Sequence, residues 1–82
     1  MSFNLPKVEQ VKLWRREDVR EFLQGKKDSL DLDIKEIGKI YDNKIDGNTL
    51  LGLTQNDLIS IGVALKPAKG IVKLVDQIQE SK

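Results

Sequence analysis

The sequence predicts a compact all-α bundle of five helices, the last of them the longest. Three observations carry this. Apolar residues recur at i, i+3, i+4 spacing along most of the chain, and no stretch shows the strict alternation of a half-buried strand. Helix-opening signatures stand just before those runs. Finally, 82 residues, 39% hydrophobic and 33% charged with two prolines and six glycines, suit one soluble domain with one small core.

Taken in order, residues 1–12 contain Pro6 and scattered apolar positions (Phe3, Leu5, Val8, Val11) without a sustained period, so they are expected to form an extended lead-in that leans on the core. The helical domain is assigned to residues 13–80 and a short tail to 81–82. In the first helix Val19, Phe22 and Leu23 share a face, and Glu17 and Asp18 place negative charge in the first turn, where the helix dipole favours it. Arg15 falls at the cap, a poor residue for that place, and Gly25 is expected to end the helix in the left-handed conformation.

Asp33 and Glu36 form a capping box at the start of the second helix, with Ile34, Ile37, Ile40 and Tyr41 read as its inward face and Gly38 as a local weakness of about 1 kcal/mol. Asp46-Gly47 opens a short third helix that turns Leu50 and Leu51 inward. Thr54 and Asp57 cap a fourth, with Leu58 and Ile61 inward and Gly62 as its stop. The fifth is expected to open at Lys66-Pro67, since proline in a first turn has the right φ and lacks only an N–H without a partner there. Ala68, Ile71, Val72, Val75 and Ile78 form its apolar stripe, leaving Lys69, Lys73, Asp76 and Glu80 to solvent.

The absence of cysteine and histidine excludes disulfides, thiolate metal sites and the usual nucleophile–base pairs, and no cofactor is expected. Carboxylates abound, but short helices in a chain this size offer little of the concavity that tunes catalytic acids, so the chain is read as a non-enzyme. The start, Met1 to Pro6, lacks a charged leader followed by an apolar stretch, and no apolar run approaches the ~20 residues of a membrane span, so a cytoplasmic, intracellular location is expected. Net charge is only +1. It is nonetheless segregated: residues 12–27 sum to +3, residues 28–58 to −4 and residues 59–82 to +2.

Three blocks resemble the sterile alpha motif (SAM) family in order and spacing. Trp14, Glu17-Asp18-Val19 and Phe22-Leu23 are similar to the family's opening W-x-x-E-D-V-x-x-W/F-L. Ile45 to Leu58 resembles I-D-G-x-x-L-L-x-L-T-x-x-D-L almost position for position. Ile61-Gly62-Val63 then leads through Pro67 into the last helix. The blocks span residues 13–79. Lys66 departs from the glycine common before the last helix, and Ala68 and Lys69 stand where arginine is frequent, which weighs against functions needing a glycine-relieved basic entry.

The resemblance implies a protein-interaction module that docks head to tail with another SAM domain or with itself, inside a larger signalling or scaffold protein. An end-helix face would comprise Leu65, Lys66, Lys69 and Lys73, and a mid-loop face Asp42, Asp46, Asn48 and Asp57, complementary in sign. The bland reading is that these are solvated helix faces, with Asp46 and Asp57 serving as caps. The alternative function is RNA-hairpin binding through the basic start of the last helix, by Lys12, Arg15, Arg16, Lys66, Lys69 and Lys73. Near-neutral charge and few aromatics oppose it, so nucleic acid is not the expected partner. Asp42 to Gly47 looks briefly like a calcium loop, but Lys44 and Leu53 occupy positions that require oxygen ligands, so no metal is assigned.

Overall fold

The computed structural model describes residues 5–80, so Phe3 of the predicted lead-in and the predicted tail lie outside the described residues. Within them the chain is helical with no strand, in seven segments: α1 (Val8–Val11), α2 (Arg16–Gly25), α3 (Lys27–Leu30), α4 (Ile34–Asp42), α5 (Gly47–Leu51), α6 (Gln55–Ser60) and α7 (Leu65–Glu80). Five of these are the predicted helices. The other two are single turns that the sequence pattern hid, one within the lead-in and one directly after α2.

The capping chemistry accounts for the starts. The Asp33 carboxylate accepts from the Glu36 N–H at 2.8 Å while Glu36 accepts from the Asp33 N–H at 3.0 Å, and Thr54 and Asp57 repeat the exchange at 3.1 Å each way. Arg15 occupies the cap of α2 as expected; its N–H is satisfied by Asp18 at 2.9 Å. Gln10 does the same for Lys7 at 3.0 Å, which stabilises the unexpected turn α1.

The ends follow a different rule from the one anticipated. Gly25 remains inside α2, and the left-handed position falls at Asp31 (φ 57°), after α3. Lys44 (φ 59°) ends the run after α4, and Gly62 (φ 105°) the run after α6, as predicted. At each, an N–H reaches back five residues: Leu32 to the Lys27 carbonyl at 3.0 Å, Ile45 to Ile40 at 3.4 Å, and Val63 to Leu58 at 3.0 Å. A non-glycine residue in this conformation costs about 1–2 kcal/mol, which the surrounding packing must offset at Asp31 and Lys44. The last helix begins at Leu65 rather than Lys66, its first closing bond running from the Ala68 N–H to the Ala64 carbonyl at 3.0 Å. Pro67 therefore still sits in the first turn, where its missing N–H is harmless.

Val19, Leu23, Ile37, Ile40, Leu50, Leu58, Ala68 and Ile71 converge on one core, each at most 2% exposed. Burying side chains of the Val, Leu or Ile type contributes about 1.5–3 kcal/mol each. α2 packs against α4 and α5, while α7, about 24 Å long at 1.5 Å per residue, closes the bundle against α3, α5 and α6. Trp14 is half-buried, its ring 5.1 Å from that of Phe22. Ile34 departs from expectation. It lies in solvent at 70% exposure, because at 100° per residue it falls roughly 110° from the centre of the arc that carries Glu36, Ile37 and Ile40 inward.

Gly47 marks the tightest approach. Its N–H donates to the Trp14 carbonyl at 3.0 Å, and a Cβ there would overlap the Val11 carbonyl. Gly38, by contrast, lies inside a helix and has nothing within 4 Å of the place a Cβ would take. Gly47→Ala is expected to lower stability by about 2–4 kcal/mol through forced separation of α1 and α5. Gly38→Ala is expected to raise it by about 1 kcal/mol through helix propensity. Urea denaturation of the two variants, read by circular dichroism, checks both signs.

Candidate interaction faces

The first face gathers at the N-terminus of α7. Glu36, nine-tenths buried at 9% exposure, bonds across the molecule: one carboxylate oxygen accepts from Asp33 and the other from the Ala64 N–H at 2.8 Å. This bridge holds the start of α7 against the start of α4. Lys39 adds a second tie, its aliphatic chain lying over Gly62 and its ammonium 3.5 Å from the Gly62 carbonyl. On the outside stand Leu65, 52% exposed, with Lys66 and Lys69 in solvent. Lys66 approaches Asp31 at 3.7 Å, an exposed pair worth well under 1 kcal/mol.

Lys73 lies further along the same stripe of α7. There it lines the rim of a groove of about 610 Å³ with Leu30, Gly70 and Leu74 between α3 and α7. The structure thus groups Leu65, Lys66 and Lys69 at the helix start and puts Lys73 at the edge of that group.

The acidic residues are spread over three elements. Asp42 ends α4, exposed. Asp46 is the cap of α5, accepting from the Thr49 N–H at 2.9 Å, with Asn48 exposed in the same first turn. Asp57 belongs to the cap of α6. Asp46 and Asn48 are therefore adjacent and Asp42 is one turn of chain away, whereas Asp57 sits on a separate helix. Two of the carboxylates have cap duties, yet Asp57 is exposed and Asp46 half-exposed, so the structural role does not remove them from recognition.

A third cluster was not anticipated, because Tyr41 read as a core residue. Its ring lies beneath the Arg16 and Arg20 guanidinium groups, at 4.5 and 4.3 Å from the centroid, and its hydroxyl donates to Glu17 at 3.2 Å. Arg16 also pairs with Glu17 at 3.8 Å. A backbone N–H bond, followed by the Tyr41 hydroxyl and the two arginines, holds the Glu17 carboxyl below its ordinary value of 4.5. Arg16 is thereby engaged with Tyr41 and Glu17 at the α2–α4 contact. The available signal was the i, i+4 spacing of the two arginines on α2, with no hint in the sequence of the tyrosine between them.

A sequence model described as the SAM-like domain matches residues 1–77. The chain belongs to the SAM-like domain family. Among solved structures it is similar to a chain of the crystal structure of the Scm-SAM and Sfmbt-SAM heterodimer, with a TM-score of 0.69 and 30% identity over 87% of this chain and 96% of that chain. No curated protein matches. The helical SAM domain expected from the three sequence blocks is thus the fold observed.

Bonds from Thr49 hold the Asp46 carboxyl below its ordinary value of 3.8. The native state therefore binds this proton less readily than the unfolded chain, so its stabilisation is complete above that value and is lost as pH falls through the lower native one. Asp46→Asn, which keeps a capping oxygen but removes the titration, is expected to flatten the acid limb of stability below about pH 4 while changing neutral stability by under about 1 kcal/mol. Thermal melts across the acid range measure it. Glu36→Ala leaves two amides without their acceptor and is expected to cost about 2–3 kcal/mol, with the earliest hydrogen exchange appearing at Ala64.

Proposed function

We propose that this chain is a docking module, without catalytic activity, that joins a second SAM domain by bringing the lysine-bearing start of α7 against an acidic face of that partner, or offering its own acidic face to the partner's helix start. The carrying observation is the separation of charge on a single rigid fold. Leu65, Lys66 and Lys69 stand on α7, while Asp42, Asp46 and Asn48 stand on α4 and α5, all exposed or half-exposed. The similar solved structure supports the reading, being by its own description two SAM domains held as a heterodimer.

The partial positive charge at the N-terminus of a 16-residue helix adds to the two lysines. Complementary charge of this kind chiefly accelerates encounter and rejects partners of the wrong sign, while affinity comes from the apolar contact it surrounds. Asp57, on α6, extends the acidic side and Lys73 the basic side. The setting that suits such a module is a larger intracellular signalling or scaffold protein, whose other parts it would bring together. Among the described residues no helix is long and apolar enough to cross a membrane.

The test pairs the wild type with a Lys66→Glu, Lys69→Glu double variant. Sedimentation velocity is run on each protein alone and with SAM domains from candidate partner proteins. The wild type is expected to associate, more weakly as ionic strength rises from about 0.01 to 0.15 M and the screening length falls from about 30 to 8 Å. Charge reversal is expected to weaken association about tenfold or more. Monomeric wild type at millimolar concentration, together with no SAM domain retained, overturns the reading. Salt-sensitive capture of an RNA hairpin under those conditions would favour the alternative.

A further inference from the structure

The groove between α3 and α7 is not accounted for by the charged faces, which share only Lys73 with it. Its α7 wall runs from Gly70 to Glu80, about 15 Å at 1.5 Å per residue, whereas α3, four residues and about 6 Å long, covers only part of that length. Where the wall begins, Gly70 lets Leu30 come close to the helix: a Cβ at Gly70 would stand 2.9 Å from the Leu30 Cδ2. Leu30 and Leu74 both line the groove and are only half-buried. Its volume of about 610 Å³ equals that of roughly twenty waters at ~30 Å³ each, held against apolar walls from which a covering side chain would gain by displacing them.

Part of that cover is in place. Leu5, half-buried, lines the groove from the N-terminal lead-in. Pro6 follows it and biases Leu5 toward extended backbone. Side chains two residues apart in an extended chain face one side, about 7 Å from each other, so continuing that conformation through Asn4 turns Phe3 to the side of Leu5. Phe3 lies outside the described residues, while the other three aromatics already have partners: Trp14 and Phe22 pack together, and Tyr41 lies beneath two arginines. The rim carries Lys26 and Lys73 but also Glu80, which suits an uncharged occupant, and Met1-Ser2-Phe3-Asn4 has no charged side chain. The SAM-like sequence model takes in these four residues as part of the matched domain.

We propose that residues 1–4 of this chain complete the cover, the arm continuing from Leu5 along the groove and seating the Phe3 ring against Leu30 and Leu74. The inference goes beyond the docking reading and does not rest on it. The arm then acts as a strap that ties the segment before α1 to the last helix, and the groove admits an apolar side chain from outside only after Phe3 has left.

Nuclear Overhauser spectra of the isotopically labelled wild type test this directly, with contacts expected from the Phe3 ring to the methyl groups of Leu30 and Leu74. Phe3→Ser is expected to lower the melting temperature by about 4–8 °C at unchanged helicity, and Phe3→Leu, which keeps an apolar group, to recover more than half of the loss. An environment-sensitive apolar dye is expected to bind the folded Phe3→Ser variant several-fold more than the wild type, because the groove stands open. A wild type without the Phe3 contacts overturns the proposal. So do contacts found only between differently labelled copies, which would give the groove to the arm of a second chain, and a Phe3→Ser variant that melts and binds dye like the wild type. The docking reading is judged separately, by Lys66→Glu, Lys69→Glu, and neither outcome decides the other.

Discussion

The carboxylate of Glu36 is the constraint on which the arrangement of the faces depends. It is nine-tenths buried, and each oxygen accepts an N–H from a different part of the chain, one from Asp33 at the start of its own helix and one from Ala64 at the start of the last. A buried carboxylate without partners would be costly, and two amides without an acceptor would be costly too. Satisfying all three groups together fixes α7 relative to α4, and hence where Leu65, Lys66 and Lys69 point. The recognition surface is thus set by a hydrogen bond beneath it.

The same economy appears on the acidic side, where charges that end helices also define a face. Asp46 must accept from Thr49 and Asp57 must accept from Thr54 for α5 and α6 to start where they do. A cap occupies one lobe of a carboxylate. The remaining lone pairs, and the whole of the negative charge, stay turned to water. In a chain this short, where most large apolar groups are committed to the core, recognition is built from residues that already serve the backbone.

What could be read from the sequence divides along the range of the interactions. The capping boxes at Asp33–Glu36 and Thr54–Asp57, the stop at Gly62 and the stripe from Ala68 to Ile78 are local, repeated every three or four residues, and were legible. Glu36 illustrates the limit: its bond to Asp33 spans three residues and is visible in the sequence, while its bond to Ala64 spans 28 and is not. Ile34 lies outside the core despite its apolar identity, because its angle on the helix decides its place. The turns α1 and α3 escape a sequence reading because four residues cannot display a helical period, and Gly25 misleads because a second turn follows it directly. The charges of the two faces were legible as composition, whereas their grouping, with Lys73 set apart and Asp57 on its own helix, depends on tertiary packing.

The half-buried indole of Trp14 gives this molecule a property of its own. It is the single tryptophan of the chain, lies against Phe22, and belongs to the junction where the first turn of helix meets α5 through Gly47. Its emission therefore originates from one place. Loosening of that junction would bring water to the indole before the main interior opens, so a fluorescence transition that precedes loss of helicity would mark the N-terminal segment as a separately melting flap on an otherwise cooperative body.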